Sequence, residues 1–150
     1  MKKIASFEVN HLTLQPGIYI SRIDGDITTY DIRLKKPNNG DYLAVSAMHT
    51  IEHIVATYVR NSGFSSNIIY FGPMGCRTGF YLLVRDINEA NVIKLITDAF
   101  TFLADFNDDV PGTTARECGN YLEHNLEIAK KEAQKFLNIT KDYTIDSLKY

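Results

Sequence analysis

A chain of 150 residues, 45% hydrophobic and 23% charged, suits one domain spanning residues 1–150 and leaves little room for a second. Its net charge of −2, from 16 basic against 18 acidic residues, offers no basic stripe for nucleic acid. No apolar run approaches the ~20 residues that cross a bilayer, and Glu8 and Asn10 interrupt any signal-peptide core, so the expected compartment is the cytoplasm, where Cys76 and Cys118 stay unpaired.

In chain order, "GIYISRIDGDITTYDIRL" reads as two strands joined at Asp24-Gly25, a pair that tolerates the positive φ of a hairpin turn. Ile18 and Ile20 alternate with polar neighbours, as do Tyr30, Ile32 and Leu34. "KKPNNGD" is a turn cluster. Met48, Ile51, Val55, Tyr58 and Val59 recur at helical spacing, and Asn61, Ser62 and Gly63 stop that helix. "NIIYF" and "TGFYLLVRD" read as strands around the "GPMGC" turn. Asp86 with Glu89 resembles a capping box for a helix with Val92, Leu95, Ile96, Ala99, Phe100 and Leu103 inward. A last helix is expected from about Asn120 to Leu137, with Leu122, Leu126, Ala129, Ala133 and Phe136 inward. Mixed order with prominent hairpins points to an α+β domain with a mostly antiparallel sheet.

The helix in "SAMHTIEHIVATYVRN" carries the first chemistry. His49 and His53 stand one turn apart on the same face, and Glu52 lies within a quarter-turn of both. Two imidazoles at i and i+4 can share one divalent metal, with the neighbouring carboxylate serving as a base. H-x-x-E-H is also the inverted zincin pattern, so the motif alone suggests a metal hydrolase. Cys118, read as lying just before the last helix, is a candidate third ligand because a helix N-terminus favours the thiolate. Its other reading is a small buried hydrophobe. Cys76 stands between Gly75 and Gly79, which let the backbone turn sharply and approach a ligand. A thiol at such a turn beside Arg77 suits acid and base work, the alternative being an inert cysteine in a hairpin.

Taken together, "SFEVNH" (Ser6–His11), "YDIRL" (Tyr30–Leu34), "HTIEH" (His49–His53), "PMGCRTGFY" (Pro73–Tyr81) and "ECGNY" (Glu117–Tyr121) resemble the S-ribosylhomocysteine lyase family, LuxS, over nearly the whole chain. The resemblance implies a small α+β homodimer with active sites at the subunit interface. It implies His49, His53 and Cys118 as ligands of Fe(II), which zinc or cobalt often replaces, with Glu52 and Cys76 as the acid/base pair. Ser6, His11 and Arg33 match positions lining the substrate's ribose, and Arg60 one near the homocysteine end. The implied reaction cleaves S-ribosylhomocysteine to homocysteine and 4,5-dihydroxy-2,3-pentanedione, precursor of autoinducer-2, and serves both methyl-cycle recycling and signalling.

One departure stands out. The family usually has aspartate, as in an "IDIS" segment, where this chain has Tyr70 in "IYFG". That aspartate helps hold the substrate's amino-acid end, so the expectation is altered selectivity there, with the tyrosine ring offering cation–π contact instead. His124 is read as structural or surface, since three ligands stand elsewhere. The competing readings are a small metallopeptidase with an acidic third ligand and a non-catalytic homologue that binds a metal or a sulfur metabolite.

Overall fold

Alternation along the strands decides which way the sheet faces. In the computed structural model, which describes residues 1–150, β1 (Gly17–Asp24) and β2 (Ile27–Arg33) form an antiparallel hairpin pairing Asp24 with Ile27 across Gly25 and Asp26. Gly25 takes the positive φ expected of the turn. Ile18, Tyr30 and Ile32 are buried on the face that meets the helices. β3 (Ile68–Pro73) and β4 (Gly79–Arg85) form the second hairpin, and the sheet order β1-β2-β4-β3 is antiparallel throughout. On β4, Phe80, Leu82 and Val84 join the core, while Tyr81 and Leu83 alternate to the other face.

Three helices cover the core face. α1 (Val45–Arg60) buries Ala47, Ile51, Ile54, Val55 and Val59 and packs against β3 and α2. α2 (Glu89–Ala104) buries the six apolar residues that its periodicity singles out. Its N-cap is Asn88, whose side chain accepts from the Asn91 amide; Asp86 takes a left-handed φ of 55° outside the helix, which overturns the expected capping box. α3 (Leu126–Thr140) packs against α2 through Ala129, Ala133 and Phe136. The α+β, mostly antiparallel architecture is the one the hairpin pattern predicts.

The start of α3 differs from expectation. Residues 120–125 are not helical, because the Asn125 amide donates to the Ser46 carbonyl and to Thr50 Oγ1 on α1 instead of continuing a helix. The Asn125 side chain then caps α3 by accepting from Ile128 N. Leu122, expected inward, is 80% exposed on this loop.

The other face of the sheet holds an unusual burial. Asp31 and Arg33 alternate away from the helices, yet both side chains are 3% exposed or less and form a bidentate pair at 2.6 and 3.1 Å. Tyr150 donates to Asp31 at 2.7 Å and stacks on Tyr19 at 4.9 Å, sealing the pair from water. Lys35, just past β2, bridges Asp41 and Glu132 at 2.9 Å each and ties the segment before α1 to α3.

Glycines in the second hairpin act differently from the sequence reading. The left-handed position of the "PMGCRTG" turn is Arg77, with φ 60°, while Gly75 faces open space. Gly79 is needed where β4 crosses β2, since a Cβ there would strike the Ile32 carbonyl oxygen. Gly79→Ala is expected to lower stability by about 1–3 kcal/mol by forcing the central strands apart, measured by urea denaturation; an unchanged midpoint would show that the strands yield freely.

Candidate metal centre and adjoining cavity

Docking of the 118–125 loop onto α1 assembles the first part of the site. The ligand atoms of His49, His53, Cys118 and His124 all lie within 4.8 Å of one another. Cys118 Sγ stands 3.4 Å from His49 Nε2 and 3.9 Å from His53 Nε2. Those separations suit two nitrogens and a sulfur around one tetrahedral ion with bonds of roughly 2.0–2.3 Å. Each ring is held by its other nitrogen: His49 Nδ1 donates to the Glu123 carbonyl at 2.9 Å, and His53 Nδ1 to the Pro111 carbonyl at 2.8 Å. A carbonyl only accepts, so both rings carry their proton on Nδ1 and present a bare Nε2 lone pair to the centre.

The fit to a divalent cation therefore rests on geometry and donor chemistry. His124 stands beside these donors: its Nε2 is buried and has no hydrogen-bond partner, and burial, with His49 and His53 beside it, pushes its pKa down to about 4. His124, expected to be structural or at the surface, is partly buried beside the two α1 histidines. The i, i+4 pair was legible in sequence, but His124 was not, because only the non-helical path of residues 120–125 brings it back to α1. The same path corrects the reading of Cys118, which sits in a turn whose amide bonds to Thr114 O, well ahead of α3 and its dipole. Glu52 lies on α1 beside the histidines, partly exposed, with no side-chain hydrogen bond or ion pair holding it.

A second part lies in a cavity of about 420 Å³ lined by Ser6, His11, Arg33, Cys76, Thr78 and Tyr81, among others. The backbone fixes its floor: Leu34 and Lys35 amides donate to Thr78 O, and the Leu43 amide to Arg77 O, so the turn bearing Cys76 is tied to β2 and to the approach to α1. Cys76 Sγ is 3.1 Å from Thr78 Oγ1 and 3.9 Å from Arg33 Nη1. Burial opposes the Arg33 charge, but Asp31 more than offsets it and holds the guanidinium above its ordinary pKa, so a fixed cation faces the thiol. His11 Nδ1 bonds to the Val9 carbonyl at 2.8 Å, which leaves its other nitrogen for the cavity.

The structure thus gathers Ser6, His11, Arg33 and Cys76 in one place and His49, His53 and Cys118 in another. The cavity lining contains none of the clustered residues. Arg60 joins neither; at the far end of α1 it donates to the Ile68 and Ile69 carbonyls. Tyr70 is half exposed, with its ring lying over Gly72, where a Cβ would collide with it.

Comparison with known proteins gives the family. The family model for S-ribosylhomocysteinase (LuxS) matches residues 4–146. A protein of Clostridium acetobutylicum named S-ribosylhomocysteine lyase is 49% identical over 156 residues, covering 100% of this chain and 99% of the relative. Proteins of the same name from Borreliella burgdorferi (strain ATCC 35210) and Phocaeicola vulgatus are each 46% identical, covering 100% of this chain and 99% and 98% of those relatives. With its two imidazoles, its thiol and its Cys76 turn placed as described, the chain belongs to the S-ribosylhomocysteinase (LuxS) family.

Proposed function

We propose that this chain, as one domain over residues 1–150, is a metal-dependent carbon–sulfur lyase that cleaves the thioether of S-ribosylhomocysteine to homocysteine and 4,5-dihydroxy-2,3-pentanedione. The observation that carries the reading is the convergence of His49 Nε2, His53 Nε2 and Cys118 Sγ in a chain related end to end to proteins bearing that lyase name. Two nitrogens and a thiolate with one position open form a catalytic rather than a closed structural set. The ion is Fe(II), with zinc or cobalt able to substitute, and when bound it supplies Lewis acidity toward an oxygen of the open-chain sugar.

The protein's own groups move the protons. In each of two rounds Cys76 and Glu52 take a proton from the carbon next to the carbonyl and return one to the former carbonyl carbon, with the hydroxyl proton passing between the two oxygens, so the carbonyl migrates from C1 to C2 and then to C3. A last abstraction by Glu52, at the carbon between the new carbonyl and the thioether-bearing carbon, expels homocysteine by β-elimination. Ser6, His11 and Arg33 hold the ribose, whereas Arg60, expected at the homocysteine end, stands apart from both groups with its guanidinium on the Ile68 and Ile69 carbonyls. The metallopeptidase reading loses ground because the third donor near the histidines is a thiol rather than a carboxylate.

The reading includes a homodimer. What supports it is the separation of the two groups of residues: Arg33 and Tyr81 project to the sheet face opposite the helices, while the histidines sit in the helical layer. Exposed apolar side chains flank both: Phe7 lines the Cys76 cavity at 65% exposure, and Leu122 stands at 80% on the loop carrying Cys118 and His124. Pairing two copies would cover these residues and set one chain's cavity against the other's metal centre. Two unpaired thiols also suit a reducing, cytoplasmic setting. No helix is long and apolar enough to cross a membrane.

Three measurements test this. Protein loaded anaerobically with Fe(II) or Co(II) should release thiol from S-ribosylhomocysteine, and metal removal should stop it; metal binding without thiol release would favour the non-catalytic reading. Cys76→Ala should lower kcat by about 10²–10⁴-fold with metal content intact. Mixing unfolded and refolded Cys76→Ala with His49→Ala should restore part of the activity that each lacks, whereas no recovery would place each site within a single chain. For selectivity, Tyr70→Asp should change kcat/KM for S-ribosylhomocysteine, and an unchanged ratio would remove Tyr70 from substrate recognition.

A further inference from the structure

His124 is the one member of the metal-centre cluster for which the lyase reading has no use. Its position is tightly set. Thr50 Oγ1, on buried Thr50, donates its single proton to the Ser46 carbonyl at 3.0 Å and accepts from the Asn125 amide at 3.0 Å. The remaining contact, 3.0 Å to His124 Nδ1, therefore has the imidazole as donor. The proton on Nδ1 leaves a bare lone pair on Nε2, and that atom is buried without a partner. An unsatisfied buried acceptor of this kind calls for an occupant that donates.

Ring planes decide whether His124 is a fourth ligand. A nitrogen lone pair lies in the plane of its ring, so an ion shared by two imidazoles lies in both planes. The His49 and His53 rings meet at 90° with centroids 4.5 Å apart, and their planes cross close by. His49 and His124 are stacked, with centroids 4.0 Å apart and planes only 23° apart. Such planes cross about 8–10 Å away, whereas a ligated ion sits roughly 3 Å from an imidazole centroid. His124 cannot share an ion with His49 in this arrangement. One of its ring nitrogens instead lies within 4.8 Å of the donor atoms of His49, His53 and Cys118, beside any ion those three hold.

We infer that His124 is a substrate-contacting residue: its Nε2 accepts a hydrogen bond from a hydroxyl of the molecule held at the open position, the hydroxyl beside the carbonyl in an open-chain sugar. The inference rests on the metal centre proposed above and goes beyond it by assigning the selection of an α-hydroxy carbonyl. Thr50 is the positioning residue behind it, since it fixes which nitrogen carries the proton. A ligand with a carbonyl but no neighbouring hydroxyl leaves Nε2 unsatisfied and binds less tightly.

The test uses the full chain in the Cys76→Ala background, so that substrate binds without turning over. Protein with His124, with His124→Ala or with His124→Gln is loaded with Co(II). Cobalt per chain, the sulfur-to-cobalt charge-transfer band and the visible-band change on titration with S-ribosylhomocysteine are then measured. All three proteins should bind equal cobalt with the same charge-transfer band. His124→Ala should raise the Kd for S-ribosylhomocysteine roughly tenfold or more, and His124→Gln, whose side-chain oxygen still accepts, should recover part of that loss. Loss of cobalt or of the band in the His124 variants would make His124 a ligand or a loop support and overturn the proposal, as would an unchanged Kd. Failure of the protein with His124 intact to bind cobalt would instead defeat the metal centre itself, before any His124 variant is compared.

Discussion

The site depends on one docking event, that of the 118–125 loop on the first turns of α1. Four bonds hold it: the Asn125 amide to Ser46 O, the same amide to Thr50 Oγ1, His49 Nδ1 to the Glu123 carbonyl, and His124 Nδ1 to Thr50 Oγ1. They bring a thiol and a third imidazole to a helix that supplies only two donors by itself. The two imidazole bonds also orient their rings, because each spends one nitrogen's proton and exposes the other nitrogen's lone pair. The tertiary contact and the ligand chemistry are the same interaction seen from two sides.

The sheet provides what the loop cannot, a rigid frame for Cys76. Its thiol sits on a turn whose carbonyls are tied to the end of β2 and to the approach to α1, so it cannot drift without unravelling the central strand pair. Beneath it the Asp31–Arg33 pair is out of water. Removing either partner of such a buried pair strands a charge, which is far costlier than losing an exposed salt bridge. Tyr150 completes the enclosure, and burial followed by the Asp31 charge pushes its phenol well above the ordinary tyrosine range, so it remains a donor to Asp31. A fixed cation beside a thiol is thereby maintained by apolar shielding as much as by charge.

Much of this was legible in the residues. The 3–4 spacing of α1 placed His49, Glu52 and His53 on one face, and strand alternation identified Ile18, Tyr30 and Ile32 as inward residues of the first hairpin. What local pattern missed was set by partners distant in sequence. Residues 120–125 carry helical spacing, yet the Asn125 amide bonds to α1, so Leu122 turns outward and His124 turns in. Gly79 looked like a turn glycine, but its requirement comes from Ile32 on another strand. Tyr70 and Gly72 depart together from the familiar segment, and the structure gives the reason: the tyrosine ring occupies the space that a side chain at 72 would need. Arg60 matches a family position, yet its guanidinium is engaged with β3 carbonyls, a commitment that sequence cannot reveal.

The central claim is that two imidazoles and the Cys118 thiolate hold one ion with a position left open. X-ray absorption on zinc- or cobalt-loaded protein tests it most directly. The account predicts one sulfur at about 2.3 Å, two imidazole nitrogens at about 2.0–2.1 Å and one further light atom, with the sulfur lost in Cys118→Ser. A first shell without sulfur, or one with three imidazoles and no other light atom, would contradict it.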